Sequence, residues 1–587
     1  MINRAVLTVA VVFCLVLSGQ TLAQSDRGTI TGAVSDPSSA VLPGVSIVAT
    51  NTQTGTKYET ISTETGNYTL VQLPAGVYEL AVELPGFKKY IQQGITVQVA
   101  QTLRVDVTLQ VGANTEEVTV TADATLLRTE SGEVSHIIPA ARLNELPILG
   151  IGGAATTQGL RIYLSQTKLL PGAYYPDGGL TVRINGAPQN TQSVRIEGQD
   201  STNQLIPFSS ASLQPSVDAV QETAIQTSNY AAEYGQAGGG LYNITMRSGT
   251  NQYHGGGFDY LANEAFNASF PYVNTKPRVR RNDYGFNFGG PATIPGLYKG
   301  RDKTFFFANF EQYREFFVTN NQPITVPTLA YRQGDFRQAL TGRQLGTDPL
   351  GRPIMEGTIY DPNTMRAAPD GRIIRDPFPN NVIPANRIDK VALTIQQLIP
   401  APTTGALTGN YTPAFPNDRV TTNWSIKGDE YLSPRAKLSG YFGTNKTAAQ
   451  YSQQLNGSEG LPLPITATRG TFTVSYTSRA NFDYTISPTR LLHLGAGYTQ
   501  YNFNDNSPVL DYDSEKSLGL KGATVPGDQG GRFPTINGLC SSGMSPQCTG
   551  TGGMASMGPG NAIQSKSYMI NPAGNIALTF ALHVLRL

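Results

Sequence analysis

The chain has 587 residues, a formal net charge of +1 and only 14% charged residues. That balance excludes a nucleic-acid binder, which carries a basic surface, and a disordered acidic chain, whose charge outweighs its apolar content. With 62 glycines, 38 prolines, 28 tyrosines and 23 phenylalanines, the composition points to many strands joined by turns.

Residues 1–23 read as a secretory signal. Arg4 makes the start positive, residues 5–17 are a short apolar run, and Thr21-Leu22-Ala23 precedes a cleavage point before Gln24. The run is short of the roughly 20 residues that a spanning helix needs, and no other stretch approaches that length. An exported chain without such a helix is either secreted or a β-barrel, since closed barrels also satisfy every backbone group in lipid. Two cysteines remain after cleavage, Cys540 and Cys548, close together in a Gly/Ser/Pro loop. A local disulfide is expected there in an oxidising compartment.

Short alternating segments follow at 28–34, 45–50, 68–71, 77–82, 95–99 and 103–109, with turns at Pro43-Gly44, Gly66-Asn67 and Pro74-Ala75-Gly76. A set of about seven such strands predicts a small β-sandwich. The strings Gly32-Ala33-Val34-Ser35-Asp36, Leu42-Pro43-Gly44-Val45, Thr65-Gly66-Asn67-Tyr68 and Pro85-Gly86-Phe87 resemble the carboxypeptidase regulatory-like, prealbumin-like domain. The resemblance implies the fold of residues 24–110 and no enzyme, because sandwiches host unrelated roles. No HExxH spacing occurs, and His136, His254, His493 and His583 lie far apart. Neither a metal centre nor a cofactor is expected. Related sandwiches bind glycans; a passive periplasmic module is the simpler reading.

Residues 111–122 read as a linker. It carries Glu116, then Glu117-Val118-Thr119-Val120-Thr121-Ala122, after the flexible Gly112-Ala113-Asn114. An acidic start, alternating Val and Thr and a closing Ala resemble a TonB box. Such a peptide adds as a strand to the sheet edge of its partner, and β-branched residues favour the extended state. One more strand of the preceding sandwich is the alternative from local pattern; position before the next domain favours the box.

Residues 123–249 resemble the plug of TonB-dependent outer-membrane transporters. The matching pieces are Val182-Arg183-Ile184-Asn185-Gly186 and Val194-Arg195-Ile196-Glu197-Gly198-Gln199-Asp200, where Glu197 stands for the family's usual Asp. The junction to the next domain reads as a strand, Tyr234-Gly235, the small-residue run ending Gly239-Gly240, a strand at 241–246, and Arg247-Ser248-Gly249. With Thr250-Asn251-Gln252-Tyr253-His254-Gly255 it resembles the Oar-like branch, as does Leu143-Asn144-Glu145-Leu146-Pro147.

Residues 250–587 then show barrel-type alternation. Tyr284, Phe286 and Phe288 fall on one face and Asp283, Gly285, Asn287 and Gly289 on the other. Leu438, Gly440 and Phe442 alternate with Lys437, Ser439 and Tyr441, and Phe482, Tyr484 and Ile486 with Asn481, Asp483 and Thr485. The Pro- and Asn-rich stretch 319–419 reads as a long extracellular loop, where a ligand contact is expected without a named residue. About eight to ten strands are legible against the 22 of plugged transporters, so a partial barrel is expected, from a fragment or a frameshifted product.

The whole is therefore expected to be mostly β: a prealbumin-like sandwich, an α+β plug and an antiparallel transmembrane β-barrel in the outer membrane of a Gram-negative cell. The resemblance implies import of an oligosaccharide, peptide or chelate by plug rearrangement. Its implied partners are a TonB-type energy-coupling protein, outer-membrane lipid and a small ligand, with no nucleic acid. The alternatives are a cell-surface adhesion or carbohydrate-binding structural protein and, third, a peptidase or glycan-active enzyme.

Overall fold

The computed structural model describes residues 27–113, 116–121, 132–139, 142, 145, 161, 163–174, 182–189, 191–203, 213–230, 238–269, 276, 280–320, 323–412, 414–449, 461–466, 470–487, 490–506, 512–522, 533–536, 557–558 and 564–580. The signal segment, Ala122, Tyr234, Gly235, Cys540 and Cys548 lie outside them. No helix among the described residues is long and apolar enough to cross a membrane.

The first body contains strands β1 Gly28–Ser35, β2 Ser46–Asn51, β3 Lys57–Ile61, β4 Asn67–Leu73, β5 Gly76–Glu83, β6 Lys89–Val97, β7 Thr102–Arg104, β8 Val107–Thr108 and β9 Glu117–Thr121. One sheet runs β4-β1-β7 with β8 also on β1, and the other runs β3-β2-β5-β6-β9. Alternation sends Ile30, Val34, Ile47, Ala49, Leu80 and Val82 between the sheets, where all are fully buried. This is the expected sandwich, with local differences. The segment expected as one strand at 103–109 breaks at Val105-Asp106, where the Asp106 carboxylate accepts from the Ala33 amide at 2.8 Å. β6 starts earlier than its apolar half suggests. Gly94, at φ 79°, makes a bulge there, between the pairs Leu80–Gln92 and Tyr78–Ile95.

Gly32 marks the tightest point of this body. The Tyr68 hydroxyl donates to the Val105 carbonyl at 2.7 Å, and a Cβ on Gly32 would lie 1.9 Å from that same carbonyl oxygen. Residues 27–121 expressed alone are expected to unfold cooperatively, and Gly32→Ala to destabilise them by at least the ~1–3 kcal/mol of an overpacked core. Thermal melts by circular dichroism check both; an unchanged midpoint would contradict the packing described.

The second body contains β10 Val134–Pro139, β11 Ala173–Tyr174, β12 Arg183–Ile184, β13 Ser193–Ile196, β14 Gln199–Asp200, β15 Val220–Ser228 and β16 Leu241–Met246. Its main sheet has the order β10-β15-β16-β13-β14, with β13 parallel to β16. Val194, Ile196, Ile225, Tyr242 and Ile244 form its core.

The third body is an antiparallel sheet of β17 His254–Asn263, β18 Arg280–Pro291, β19 Thr304–Asn320, β24 Ala414–Ser433, β25 Ala436–Ala449, β26 Gly470–Ser487, β27 Arg490–Asn506 and β28 Gln564–Phe580, each paired with the next. Among the described residues β17 and β28 do not pair with each other. Period-2 alternation gives the wall two unlike faces. Phe286, Phe288, Trp424, Ile426, Leu438, Phe442 and Tyr484 are exposed on the outer one, while Asn309, Glu311, Asn423, Lys427, Ser439, Arg479 and Asn481 are buried on the inner one. Apolar outside and polar inside is the reverse of a soluble protein and suits a barrel wall in lipid.

The connections 292–303, 434–435 and 488–489 are short, and 264–279, 321–413, 450–469 and 507–563 are long. Barrels place their short turns on the periplasmic side. The sandwich touches that end. Asn251 donates through Nδ2 to the Thr54 carbonyl at 2.9 Å, and its Oδ1 accepts from the Asp302 amide at 2.8 Å.

The connection from β19 to β24 is more ordered than its composition suggests. It holds α1 Leu329–Arg332, the hairpin pairs β20 Gln344–Thr347 with β21 Pro353–Met355 and β22 Tyr360–Ala367 with β23 Ile373–Pro377, and α2 Lys390–Leu398, capped by Asp389. Arg366 and Arg352 each contact Asp376 at 2.6 Å and hold its carboxyl down at about 2. Ile324, Val326 and Ile399 of this connection, Leu461 and Ile465 of the next, and Leu518, Phe533 and Met557 of the last share one apolar cluster.

Candidate functional site

The seam between the plug-like sheet and the inner wall concentrates the buried charge. The β13–β14 hairpin turns at Glu197-Gly198, both with positive φ (53° and 76°), as a two-residue primed turn requires. Gly198 adopts this freely, and Glu197 is held by its contacts. Its amide donates to the Ile244 carbonyl at 3.0 Å, and its carboxylate accepts from the Met246 amide at 2.7 Å. The turn thereby aims the Glu197 carboxylate at the wall, where Lys427 Nζ reaches it at 2.8 Å and also donates to the Met246 carbonyl at 3.0 Å.

Further along the wall the same hairpin is held by its backbone. Arg479 donates to the Asp200 carbonyl at 2.8 Å, and Asn481 to the Glu197 carbonyl at 3.2 Å. Gln199 donates to Asn481 Oδ1 at 2.8 Å. Gly497 makes room for Gln199, because a Cβ there would fall 1.9 Å from the Gln199 amide oxygen. On the other flank, Arg161 pairs with Asp218 and lies 3.7 Å from both Asp283 and Glu311. Its guanidinium lies 4.6 Å from the Phe258 and Tyr260 ring centres. The second body and the wall are therefore joined by buried, charge-assisted contacts, which are strong individually and costly to break singly.

The junction glycine behind this seam is dictated by space. A Cβ on Gly249 would lie 2.4 Å from the Phe306 carbonyl oxygen and 2.6 Å from that of Gly290, so the chain leaves the second body through a gap only glycine fits.

The other expected site residues lie elsewhere. Arg183 is exposed on β12, and Gly186 (φ 75°) closes the adjoining turn. Gly240, at φ 102°, lets the chain pass the Ile184 side chain, and a Cβ on Gly239 would meet the Thr191 hydroxyl at 2.6 Å. Glu197, Gly198 and Asp200 are brought together at the wall; Arg183 and Gly186 are not part of that cluster. Lys427, Arg479, Arg161 and Glu311 were not singled out from sequence as partners. The one sequence signal for Lys427, Arg479 and Glu311 is charge at inward positions of apolar-outward strands; Arg161 lies on no strand of the wall and has no such signal.

Glu117, Val118, Thr119, Val120 and Thr121 are not an extended linker. They form β9, paired in parallel with Lys89, Tyr90, Ile91, Gln92 and Gln93 of β6. The sandwich sheet thus continues past residue 110. Salt bridges Lys88–Glu116 at 2.7 Å and Lys89–Glu117 at 3.8 Å flank the pairing. Four of the five β9 residues are exposed and Val118 is half-buried. Ordering a residue costs roughly 1–2 kcal/mol, and a hydrogen bond contributes about 0.5–1.5 kcal/mol. With little apolar burial to add, the attachment of β9 is close to balance.

A family model described as outer membrane beta barrel domain matches residues 245–587. Another, described as carboxypeptidase regulatory-like domain, matches residues 29–110. The TonB-dependent transporter Oar of Myxococcus xanthus is 27% identical over 319 residues, covering 53% of this chain and 29% of that protein. Among solved structures, the outer membrane transporter YddB from Escherichia coli matches with TM-score 0.38 at 11% identity, over 64% of this chain and 40% of the other. A mutant of the ferric enterobactin receptor PfeA from Pseudomonas aeruginosa, solved in complex with enterobactin, matches with TM-score 0.34 at 12% identity, over 68% and 44%. The chain thus spans less than half the length of each of these relatives.

Proposed function

The chain belongs to the outer-membrane β-barrel family and resides in the outer membrane, and from that premise we propose that it serves as a TonB-dependent receptor and transporter. The observation that carries this reading is the seam itself. A polar plug is fastened to the inner wall by Glu197–Lys427 and by the Arg479 and Asn481 contacts to the β13–β14 turn. A fixed structural filler would need no such exchangeable polar fastening; apolar packing would serve it as well.

The mechanism follows from the arrangement. A small ligand, an oligosaccharide, peptide or chelate, arrives on the side of the long connections. A TonB-type protein takes hold of Glu117 to Ala122 from the periplasm. Tension on that segment draws on the plug, the hairpin contacts to the wall exchange for water, and a path opens along Lys427 and Arg479. The residues act by holding and releasing; the transported ligand undergoes no covalent change.

Native mass spectrometry of protein extracted from its own membrane identifies the ligand, and labelled ligand is then followed into cells. Uptake is expected to stop when a protonophore collapses the proton-motive force, with surface binding retained. Accumulation indifferent to the protonophore would leave an adhesion or scaffold role instead.

A further inference from the structure

The pairing of β9 with β6 has a mechanical consequence. The load path from β9 to the plug runs through residue 122 onward to β10. While β9 is paired, however, a pull on it is taken up by β6 and so by the sandwich. The sandwich is tied to the periplasmic end of the wall through Asn251, Thr54 and Asp302, and to the plug sheet by the Val99 amide, which donates to Glu222. Tension is then spread over the sandwich and its attachments to the rim and to the plug sheet instead of passing directly along the chain from residue 122.

Three features make the pairing releasable. β9 stands at the end of the sheet and, among the described residues, pairs only with β6. Its side chains are mostly exposed, so detaching it uncovers little apolar surface. Its last described pair, Gln93–Thr121, lies beside the Gly94 bulge, where the β5–β6 register is interrupted. The contrast with β5 is direct: β5 is paired on both edges and buries Tyr78, Leu80 and Val82.

We propose that the sandwich is a parking site for the coupling segment: β9 rests on β6 when no energy is supplied, and the TonB-type partner strips it from β6 before force passes directly along the chain into the plug. This rests on reading Glu117 to Ala122 as the partner's grip. The sandwich thereby gains a role that its fold alone does not imply. It keeps an aggregation-prone edge segment paired and sets a threshold that weak or accidental pulling does not cross.

The test uses the full chain in living cells with Ile91→Cys and Thr119→Cys, which are directly paired in the β6–β9 register. After brief reduction, a short oxidant pulse reads how often the two strands are together. Crosslinking is expected to be high in cells treated with protonophore or lacking the TonB-type protein, and at least threefold lower in energised cells that have it. Equal crosslinking in all three would overturn the parking role. If Val118→Pro still abolishes uptake in that case, the grip stands and only the parking falls; if Val118→Pro transports normally, the grip itself falls. Should the cysteine pair disturb folding, amide exchange on the unaltered protein decides. β9 amides are expected to exchange at least 100-fold faster than those of β5, and equal protection would overturn the proposal.

Discussion

Lys427→Met is expected to loosen the plug while leaving the wall intact. Lys427 is 4% exposed, and its ammonium bridges the Glu197 carboxylate and the Met246 carbonyl at 2.8 and 3.0 Å. Removing it leaves a buried carboxylate with the Met246 amide but without its bonded countercharge, a loss of about 3–5 kcal/mol. The inner position on β24 faces the plug, so strand pairing with β19 and β25 is untouched. The expected result is faster proteolysis of the plug in outer-membrane vesicles and entry of large antibiotics that normal cells exclude. Adding Glu197→Gln should recover much of the loss, because the stranded charge goes with it. A double-mutant cycle measures this, and additive penalties would mean that the two side chains do not act as a pair.

Val118→Pro is expected to abolish energised uptake at unchanged surface abundance. Proline removes the backbone donor that a paired strand needs, and Val118 lies inside the five-residue segment that a partner strand would have to grip. A loss of function is therefore expected through the partner and not through folding, since the β9 side chains contribute little to the sandwich core. Surface labelling alongside uptake separates the two. Normal uptake by this variant would remove the box from the account.

What was legible in the sequence is what repeats locally. Period-2 alternation with aromatics announced the outward faces of β18, β25 and β26, and Pro-Gly and Gly-Asn turns announced the sandwich. The strand at 241–246 was bounded by its own glycines and by Arg247-Ser248-Gly249. What was not legible is pairing at a distance. Glu197 and Lys427 are 230 residues apart, and nothing near either one names the other. β9 pairs in parallel with β6, so no hairpin turn announces the contact, and an exposed Val-Thr alternation reads equally as a free peptide or an edge strand. The bulge at Gly94 likewise hid the first half of β6, because Lys89 to Gln93 lack the apolar alternation of the second half. In the stretch 321–413, proline and asparagine suggested irregular backbone. The structure brackets the two short hairpins there with Arg343–Glu356 and Arg366–Asp376 and ties one to the other with Arg352–Asp376, pairs that have no periodic signature.

Motion of the plug against the wall under energy is the centre of this account, and it can be read without knowing the ligand. Gln199 is 2% exposed at the seam, against Asn481. A cysteine placed there should be shielded at rest and reached by a membrane-impermeant maleimide when the plug moves. Labelling in living cells is expected to rise several-fold with proton-motive force, and to fall to the resting level with a protonophore or with Val118→Pro. Labelling that is the same in energised, de-energised and Val118→Pro cells would contradict the account.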